Sequence, residues 1–301
     1  MQRKNACLIG LGLITQKYIK GLGIAPYLNI CAVSDVNEDA VSRQLYAAYP
    51  FYADYKQLID QVHPEYAIIS TPPETHFEIA SYCLEKGVNI IVEKPVTLCI
   101  EEFDALVKLA QQKGLTFHTL FHWLGGVETA AFAANYDLSK LQEIKVSVCD
   151  PYCDNFETID EDRRSLMGAW IDSGVNALSM IRSWLPFENV EILSTNVQRC
   201  LETQLPVYAC AQLLIDGVQT QIEIDWCQGR DHKESYVKLD GRWIHIDHSQ
   251  QCIDDIGTME YAKMDRLTQH YDSLFSEFAG DTNVEFSRSI HEVLFKVREA
   301  L

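Results

Sequence analysis

Residues 6–15, ACLIGLGLIT, decide the fold of the amino-terminal part of the chain. Apolar residues that suit a buried strand lead directly into Gly10-Leu11-Gly12, and a helical pattern begins at Thr15. The first glycine of such a loop permits a tight turn, and the second lets the backbone approach a pyrophosphate. Thr15 stands where a third glycine often occurs, so the fingerprint is incomplete. The stretch predicts a dinucleotide-binding loop if strands and helices go on alternating after it.

They do alternate as far as residue 120. The predicted strands are 6–9, 30–34, 66–70, 89–92 and 115–120, and the predicted helices between them are 15–22, 38–49, 55–62, 74–86 and 100–113. The strands are apolar throughout, which is typical of a parallel sheet covered by helices on both faces. Residues 1–120 are therefore predicted to form a doubly wound α/β domain of the Rossmann type.

The acidic residue that ends the second strand bears on the choice of cofactor. Asp35 lies about twenty residues beyond the glycine loop, where a carboxylate can accept hydrogen bonds from the ribose of adenosine and repel the extra phosphate of NADP. No arginine follows it directly, since the next residues are Val36 and Asn37. We therefore predict NAD as the cofactor in preference to NADP. A second role of Asp35 as a helix cap is compatible with this one.

After residue 120 the pattern changes. Residues 190–248 alternate in polarity, and Asp216-Gly217 and Asp240-Gly241 lie between apolar-rich runs as signals for tight hairpins. A strand is predicted at 143–149, a polar loop at 150–164, and helices at 127–136, 172–185, 261–278 and 290–301. Residues 121–301 are predicted to form an α+β domain with an open, mainly antiparallel sheet that binds substrate and supports oligomers.

Composition limits the partners. The 301 residues include 43 acidic and 25 basic ones, a formal charge of -18 that disfavours nucleic acid and anionic membranes. No apolar stretch reaches the ~18 residues that a membrane span needs. The ten cysteines include no CxxC pair, which predicts free buried thiols and no metal site. The expected location is the cytoplasm.

Residues 91–95, Ile-Val-Glu-Lys-Pro, form the candidate catalytic motif. Lys94 follows a parallel strand at the edge where such sheets bind ligands, and Pro95 allows a cis peptide between the two residues. Oxidation of an alcohol needs a base that takes the hydroxyl proton, and a lysine can serve where its surroundings lower its pKa. The alternative is an ordinary surface lysine at a strand end.

Several motifs taken together carry a resemblance: Gly10-x-Gly12, Asp35, Ser70-Thr71-Pro72-Pro73-x-x-His76 and Glu93-Lys94-Pro95. They resemble the glucose–fructose oxidoreductase, inositol dehydrogenase and rhizopine-catabolism (Gfo/Idh/MocA) family over essentially the whole chain. The resemblance implies that Lys94 lies beside nicotinamide and substrate. It also implies a dimer or tetramer, since the open sheet of the family commonly packs against another copy.

A second motif of that family is an acid followed four residues later by histidine, and here it occurs as Asp172 and Asn176. Asparagine only donates and accepts hydrogen bonds. The resemblance therefore implies that Lys94 alone carries the proton, that Asp172 positions and tunes it, and that Asn176 holds a substrate hydroxyl. The Asp–Asn version, together with Phe121-His122, is similar to the galactose and arabinose 1-dehydrogenases of the family.

The predicted site comprises three overlapping sets of residues. The catalytic residues are Lys94, Asp172 and Asn176. The cofactor-binding residues are Gly10, Gly12, Leu13, Ile14, Asp35, Ser70, Thr71, Pro72, His76, Glu93 and Lys94. The substrate-binding residues are Lys94, His122, Trp170, Asp172 and Asn176. For four of these residues a structural role is the alternative: His76 orienting its own turn, His122 and Trp170 as core side chains, and Asp172 as the N-cap of its helix.

The predicted function is NAD(P)-dependent oxidation of a sugar-like alcohol, with an aldose oxidised at C1 to the lactone. One alternative is a polyol, inositol or dihydrodiol dehydrogenase. The other is a regulator that binds NAD without catalysis.

Overall fold

The computed structural model describes residues 3–258 and 265–301, which form two compact units. The first unit comprises Met1–Gly125 and Met264–Arg288, and the second comprises Gly126–Lys263 and Ser289–Leu301. The predicted division at residue 120 assigned the whole carboxyl-terminal part to the second domain. The structure differs there because Tyr271 and Phe275 are buried in an apolar cluster of the first unit.

The first unit contains a six-stranded sheet of order β3-β2-β1-β4-β5-β6 in which every neighbouring pair is parallel. Its strands are β1 (Lys4–Ile9), β2 (Leu28–Ser34), β3 (Phe51–Tyr52), β4 (Tyr66–Ile69), β5 (Asn89–Glu93) and β6 (Phe117–Leu120). Its first helices are α1 (Tyr18–Ile24), α2 (Tyr55–Val62), α3 (Pro73–Glu85) and α4 (Ile100–Lys113). Two separate apolar clusters pack against the sheet, so the prediction of a doubly wound parallel sheet is confirmed. The strand order changes direction between β1 and β4, where such sheets bind ligands.

The second unit contains an eight-stranded sheet of order β10-β11-β12-β7-β13-β14-β15-β16. Its strands are β7 (Leu141–Cys149), β10 (Val190–Arg199), β11 (Pro206–Ile215), β12 (Val218–Asp225), β13 (His232–Leu239), β14 (Arg242–Asp247), β15 (Cys252–Ile253) and β16 (Gly257–Thr258). Neighbouring strands are antiparallel except β12 and β7, which confirms the mainly antiparallel sheet. Both Asp-Gly pairs form hairpin turns with positive φ at each residue, for example 48° at Asp216 and 83° at Gly217.

The remaining elements complete the two units. The predicted polar loop after β7 contains a short pair of strands, β8 (Cys153–Asp154) and β9 (Thr158–Ile159). The helices are α5 (Val127–Asn135), α6 (Val175–Trp184), α7 (Arg266–Glu277) and α8 (Val284–Ala300). The start of the helix predicted at 261–278 lies outside the described residues.

One predicted helix, 38–49, is wrong. The segment forms turns and only a short 3-10 helix, Arg43–Tyr46. Side chains at its start compete with a helix for the backbone, since the N–H of Asn37 donates to Asp35 Oδ1 (2.8 Å) and that of Asp39 donates to Asn37 Oδ1 (3.0 Å).

Candidate functional site

The glycine loop lies at the carboxyl end of β1, against the end of β4. Gly10 has a φ of +94°, and a Cβ there would lie 2.8 Å from the backbone of Ser70, so only glycine fits. The Ser70 hydroxyl donates to the Gly10 carbonyl at 3.1 Å. A Cβ on Gly12 would meet no atom within 4 Å, and the neighbouring Leu13 is 46% exposed. The loop therefore combines a tight inner turn with an open outer side, as a pyrophosphate requires.

Asp35 lies at the end of β2 and contacts this loop directly. Its Oδ2 accepts a hydrogen bond from the Leu11 N–H at 2.7 Å, and its Oδ1 accepts the Asn37 N–H. A carboxylate has about four acceptor positions, so two of them stay available for the hydroxyls of a ribose. The residues present thus fit a dinucleotide, and ribose binding by Asp35 stays a prediction.

His76 lies on α3, shortly after the carboxyl end of β4. The imidazole is 1% exposed, with Nδ1 2.9 Å from the Pro95 carbonyl and Nε2 2.7 Å from the Thr71 carbonyl. Burial lowers the pKa of His76. Both ring nitrogens thus join the turn after β5 to the turn after β4, as the structural alternative requires, and a cofactor contact by His76 stays a prediction.

Lys94 follows β5 at the same edge of the sheet, and its peptide bond to Pro95 is cis. The preceding Glu93 is buried. Its Oε1 accepts the hydroxyls of Tyr18 and Tyr271, the latter at 2.7 Å, and its Oε2 accepts the Lys94 N–H at 3.1 Å. The side chain of Glu93 is therefore a structural clamp between β5, α1 and α7, and a cofactor contact by this residue stays a prediction.

His122 follows β6 and is buried, as its predicted alternative requires. Its ring stacks on that of His270, with centroids 5.7 Å apart and Nδ1 atoms 3.4 Å apart. The pair belongs to the first unit, and substrate binding by His122 stays a prediction.

In the second unit, Asp172 lies on a π-helical turn, Trp170–Gly174, that leads into α6. Asn176 follows one turn later and donates from Nδ2 to the Asp172 carbonyl at 3.2 Å. Its side chain is buried, and its Oδ1 has no hydrogen-bond partner among the described residues. Since an unmade hydrogen bond at a buried acceptor costs about 1–3 kcal/mol, this oxygen suits a hydroxyl donor brought by a ligand. A π-helical turn inside a helix frequently marks a functional site.

Buried polar residues that sequence reasoning missed support this turn. The ammonium group of Lys233 donates to Asp150 Oδ1 at 2.7 Å, and Asp150 Oδ2 accepts the Ser173 hydroxyl at 3.0 Å. The Trp226 indole N–H donates to Ser173 in turn, at 3.3 Å. Tyr152 lies close enough to both carboxylates to sense their charges. Its pKa is raised chiefly by burial and then by the charges of Asp150 and Asp172.

Trp170 is buried, as its predicted alternative requires, and stacking on a sugar stays a prediction. It is 1% exposed and its indole N–H donates to the Leu294 carbonyl at 2.9 Å. Gly174 lies so close that a Cβ there would be 3.0 Å from the ring. Trp170 is therefore a core side chain of the second unit.

Within residues 3–258 and 265–301, no group of three or more His, Cys, Asp or Glu side chains is arranged to hold a metal ion. Over the same residues, no helix has the length and apolar character that crossing a membrane requires.

Comparison with known proteins places the first unit in a known family. Residues 4–121 match the model of an oxidoreductase family with an NAD-binding Rossmann fold. UDP-N-acetylglucosamine 3-dehydrogenase of Acidithiobacillus ferrooxidans is 47% identical over 47 residues, which cover 16% of this chain and 15% of that protein. The alignments to two other curated relatives span 21% and 20% of their lengths.

Solved structures with the same fold extend over both units. GenD2 from gentamicin A biosynthesis, in complex with NAD, matches with a TM-score of 0.81 and 16% identity over 100% of this chain and 95% of that one. KijD10, a 3-ketoreductase from Actinomadura kijaniata in complex with TDP-benzene and NADP, matches with a TM-score of 0.80 and 16% identity over 99% and 98%. At these identities the likeness shows the fold, and the two complexes do not distinguish NAD from NADP here.

Proposed function

We propose that this chain, which belongs to the Gfo/Idh/MocA oxidoreductase family, is an NAD-dependent dehydrogenase that oxidises a sugar-like alcohol. The observation that carries the proposal is the edge of the parallel sheet, where the glycine loop, Asp35 and Lys94 follow β1, β2 and β5. Ligands of doubly wound sheets bind at this edge.

The cofactor is held by the first unit in this proposal. The glycine loop receives the pyrophosphate, and the two remaining acceptor positions of Asp35 receive the ribose hydroxyls. NAD is preferred, because a phosphate on that ribose would lie against the carboxylate.

Lys94 is the acid/base residue of the proposed reaction. A bound nicotinamide supplies the acceptor for the hydride, and Lys94 takes the proton of the hydroxyl that is oxidised. Asp172 supplies a negative charge that orients the polar groups of the substrate. Asn176 donates no proton, and its buried Oδ1 accepts a hydrogen bond from a substrate hydroxyl.

We propose an aldose oxidised at C1 as the substrate. The motif offers one proton acceptor, and an anomeric hydroxyl is more acidic than a secondary one, so a single base suffices. Oxidation of a secondary hydroxyl on a sugar or cyclic polyol is the second candidate, favoured by the similarity to a 3-dehydrogenase.

The test is reduction of NAD, followed by absorbance, with a panel of aldoses, their 1-deoxy analogues and cyclic polyols. Turnover of aldoses but not of 1-deoxy sugars supports oxidation at C1. Equal turnover of the 1-deoxy analogues supports a secondary hydroxyl instead. Tight NAD binding without turnover of any member of the panel contradicts the proposed activity and favours a regulator.

A further inference from the structure

The carbonyl groups of the glycine loop accept hydrogen bonds from the segment 38–49, where a helix was predicted. The Gly12 carbonyl accepts the hydroxyls of Ser42, at 2.7 Å, and of Thr15, at 2.8 Å. The Leu11 carbonyl accepts the Ser42 N–H at 3.1 Å. Ser42 therefore binds both of the consecutive carbonyls in the loop, one through its side chain and one through its backbone.

A second attachment lies one helical turn further along the same segment. The hydroxyl of Tyr46 donates to the Thr15 carbonyl at 2.7 Å. The side chains of Thr15, Ser42 and Tyr46 are all fully buried, so water does not compete for these bonds. These contacts form in place of the regular helix predicted over 38–49, of which only the short 3-10 helix is present.

Fixing the carbonyls also fixes the opposite side of the loop. In a trans peptide the C=O and the following N–H point in opposite directions across one plane. The bound carbonyls of Leu11 and Gly12 thus aim the N–H groups of Gly12 and Leu13 away from Ser42. Neither N–H donates a hydrogen bond to another described residue.

We propose that Ser42 and Tyr46, with Thr15, are positioning residues that hold these two N–H groups ready for the pyrophosphate of the dinucleotide. The inference rests on the proposed function, since it assigns the loop to that cofactor. Glycines give a loop more conformations than other residues, and ordering them on binding weakens affinity. Thr15, which replaces the third glycine of the fingerprint, thereby contributes to the loop through its hydroxyl.

The experiment measures binding to the full-length protein by isothermal titration calorimetry, for Ser42→Ala, Tyr46→Phe and the double variant. Each lost hydroxyl is expected to weaken NAD binding about 2- to 10-fold, with a larger loss in the double variant. ADP-ribose, which keeps the pyrophosphate, is expected to lose affinity in parallel. Adenosine, which lacks it, is expected to bind as to the wild type, which a general loss of structure would not allow.

Two further variants make the test specific. Tyr49→Phe is the matched control, because the Tyr49 ring packs against Tyr46 but its hydroxyl makes no hydrogen bond with any described residue. Thr15→Val removes the third hydroxyl while keeping the shape, and it replaces Ser42→Ala if that variant unfolds.

The outcomes separate the two proposals. Unchanged NAD affinity in the double variant, or an equal loss for adenosine, overturns the positioning role while NAD binding by the wild type still stands. A wild-type protein that binds adenosine but neither NAD nor ADP-ribose overturns the cofactor assignment itself.

Discussion

Lys94 is held by its backbone on both sides, through contacts that do not involve its side chain. Its N–H donates to Glu93, and the carbonyl of Pro95 lies 2.9 Å from His76 Nδ1. Replacement of the side chain in Lys94→Ala leaves these contacts in place. We expect kcat/KM for the best substrate to fall about 10²- to 10⁴-fold, as for loss of a general acid–base group, with the Kd of NAD within about twofold.

The control for this prediction is Lys108→Ala, because Lys108 is an exposed lysine of α4 in the same unit. It is expected to show wild-type kinetics. Full activity of Lys94→Ala, measured by steady-state NAD reduction, would contradict the mechanism.

Asn176 carries the second prediction at this scale. Its Oδ1 is unpartnered in the described residues, so Asn176→Ala removes an acceptor that no described residue uses, together with the weak bond from Nδ2 to Asp172. KM is expected to rise about 2- to 10-fold while NAD affinity stays constant. Asn135→Ala is the matched control, since Asn135 Nδ2 makes the same bond to the residue four positions earlier on α5 at an exposed position. An unchanged KM for every substrate that turns over would show that Asn176 does not contact substrate.

At the scale of elements, the hydrophobic pattern predicted those strands and helices whose formation depends on neighbouring residues in the sequence. Five of the six strands of the parallel sheet, all but β3, and helices α2 and α4 follow it closely. The helix predicted at 38–49 is absent for two reasons. Side chains bond to the backbone at its start, and the hydroxyls of Ser42 and Tyr46 bond to Gly12 and Thr15, about thirty residues away, which periodicity does not reveal. The clamp on Glu93 is harder still to predict, because Tyr271 lies 178 residues away on α7.

That clamp has a consequence for stability against pH. Burial raises the pKa of Glu93 above its ordinary value of 4.5, and the hydroxyls of Tyr18 and Tyr271 partly offset the rise. An acid whose pKa is higher in the folded than in the unfolded protein favours the folded state at low pH. This contribution to the free energy of unfolding is lost as the pH rises from 4.5 through the pKa of the folded state. Tyr271→Phe removes one of the offsetting donors, so it raises this pKa further and steepens the loss.

The variant is therefore expected to be destabilised by about 1.5–3 kcal/mol at neutral pH and by less at a pH well below 4.5, where Glu93 is protonated in both states. Thermal unfolding of the cofactor-free protein at the two pH values measures this difference. Tyr49→Phe is expected to show no pH-dependent change. Equal destabilisation of Tyr271→Phe at both pH values would mean that packing, rather than the charge on Glu93, dominates.

At the scale of the whole molecule, the motifs predicted where the site residues lie, whereas the composition predicted the electrostatic field around the protein. The motifs placed Gly10, Asp35 and Lys94 at one edge of the sheet, because strand ends in a parallel sheet share an edge. They could not show that Trp170 is buried under α8, or that Asp150 and Lys233 support the π-helical turn. Those contacts depend on tertiary packing between distant residues, and a buried polar side chain has no local signature. Composition instead sets the long-range electrostatic field.

A formal charge of -18 opposes every anionic ligand, and the opposition depends on salt. NADP carries one phosphate more than NAD, so it is repelled more strongly both by this field and by Asp35. The Debye length shortens from about 30 Å at 0.01 M to about 8 Å at 0.15 M salt, which screens the distant charges but leaves the contact with Asp35.

We therefore expect calorimetry to show tighter binding of NAD than of NADP at both salt concentrations, with a smaller ratio of the two affinities at the higher one. In Asp35→Ser the residual preference at high salt is expected to disappear, because the ribose phosphate no longer meets a carboxylate. A wild-type ratio that does not change with salt would assign the discrimination to Asp35 alone, and tighter binding of NADP would overturn the preference for NAD.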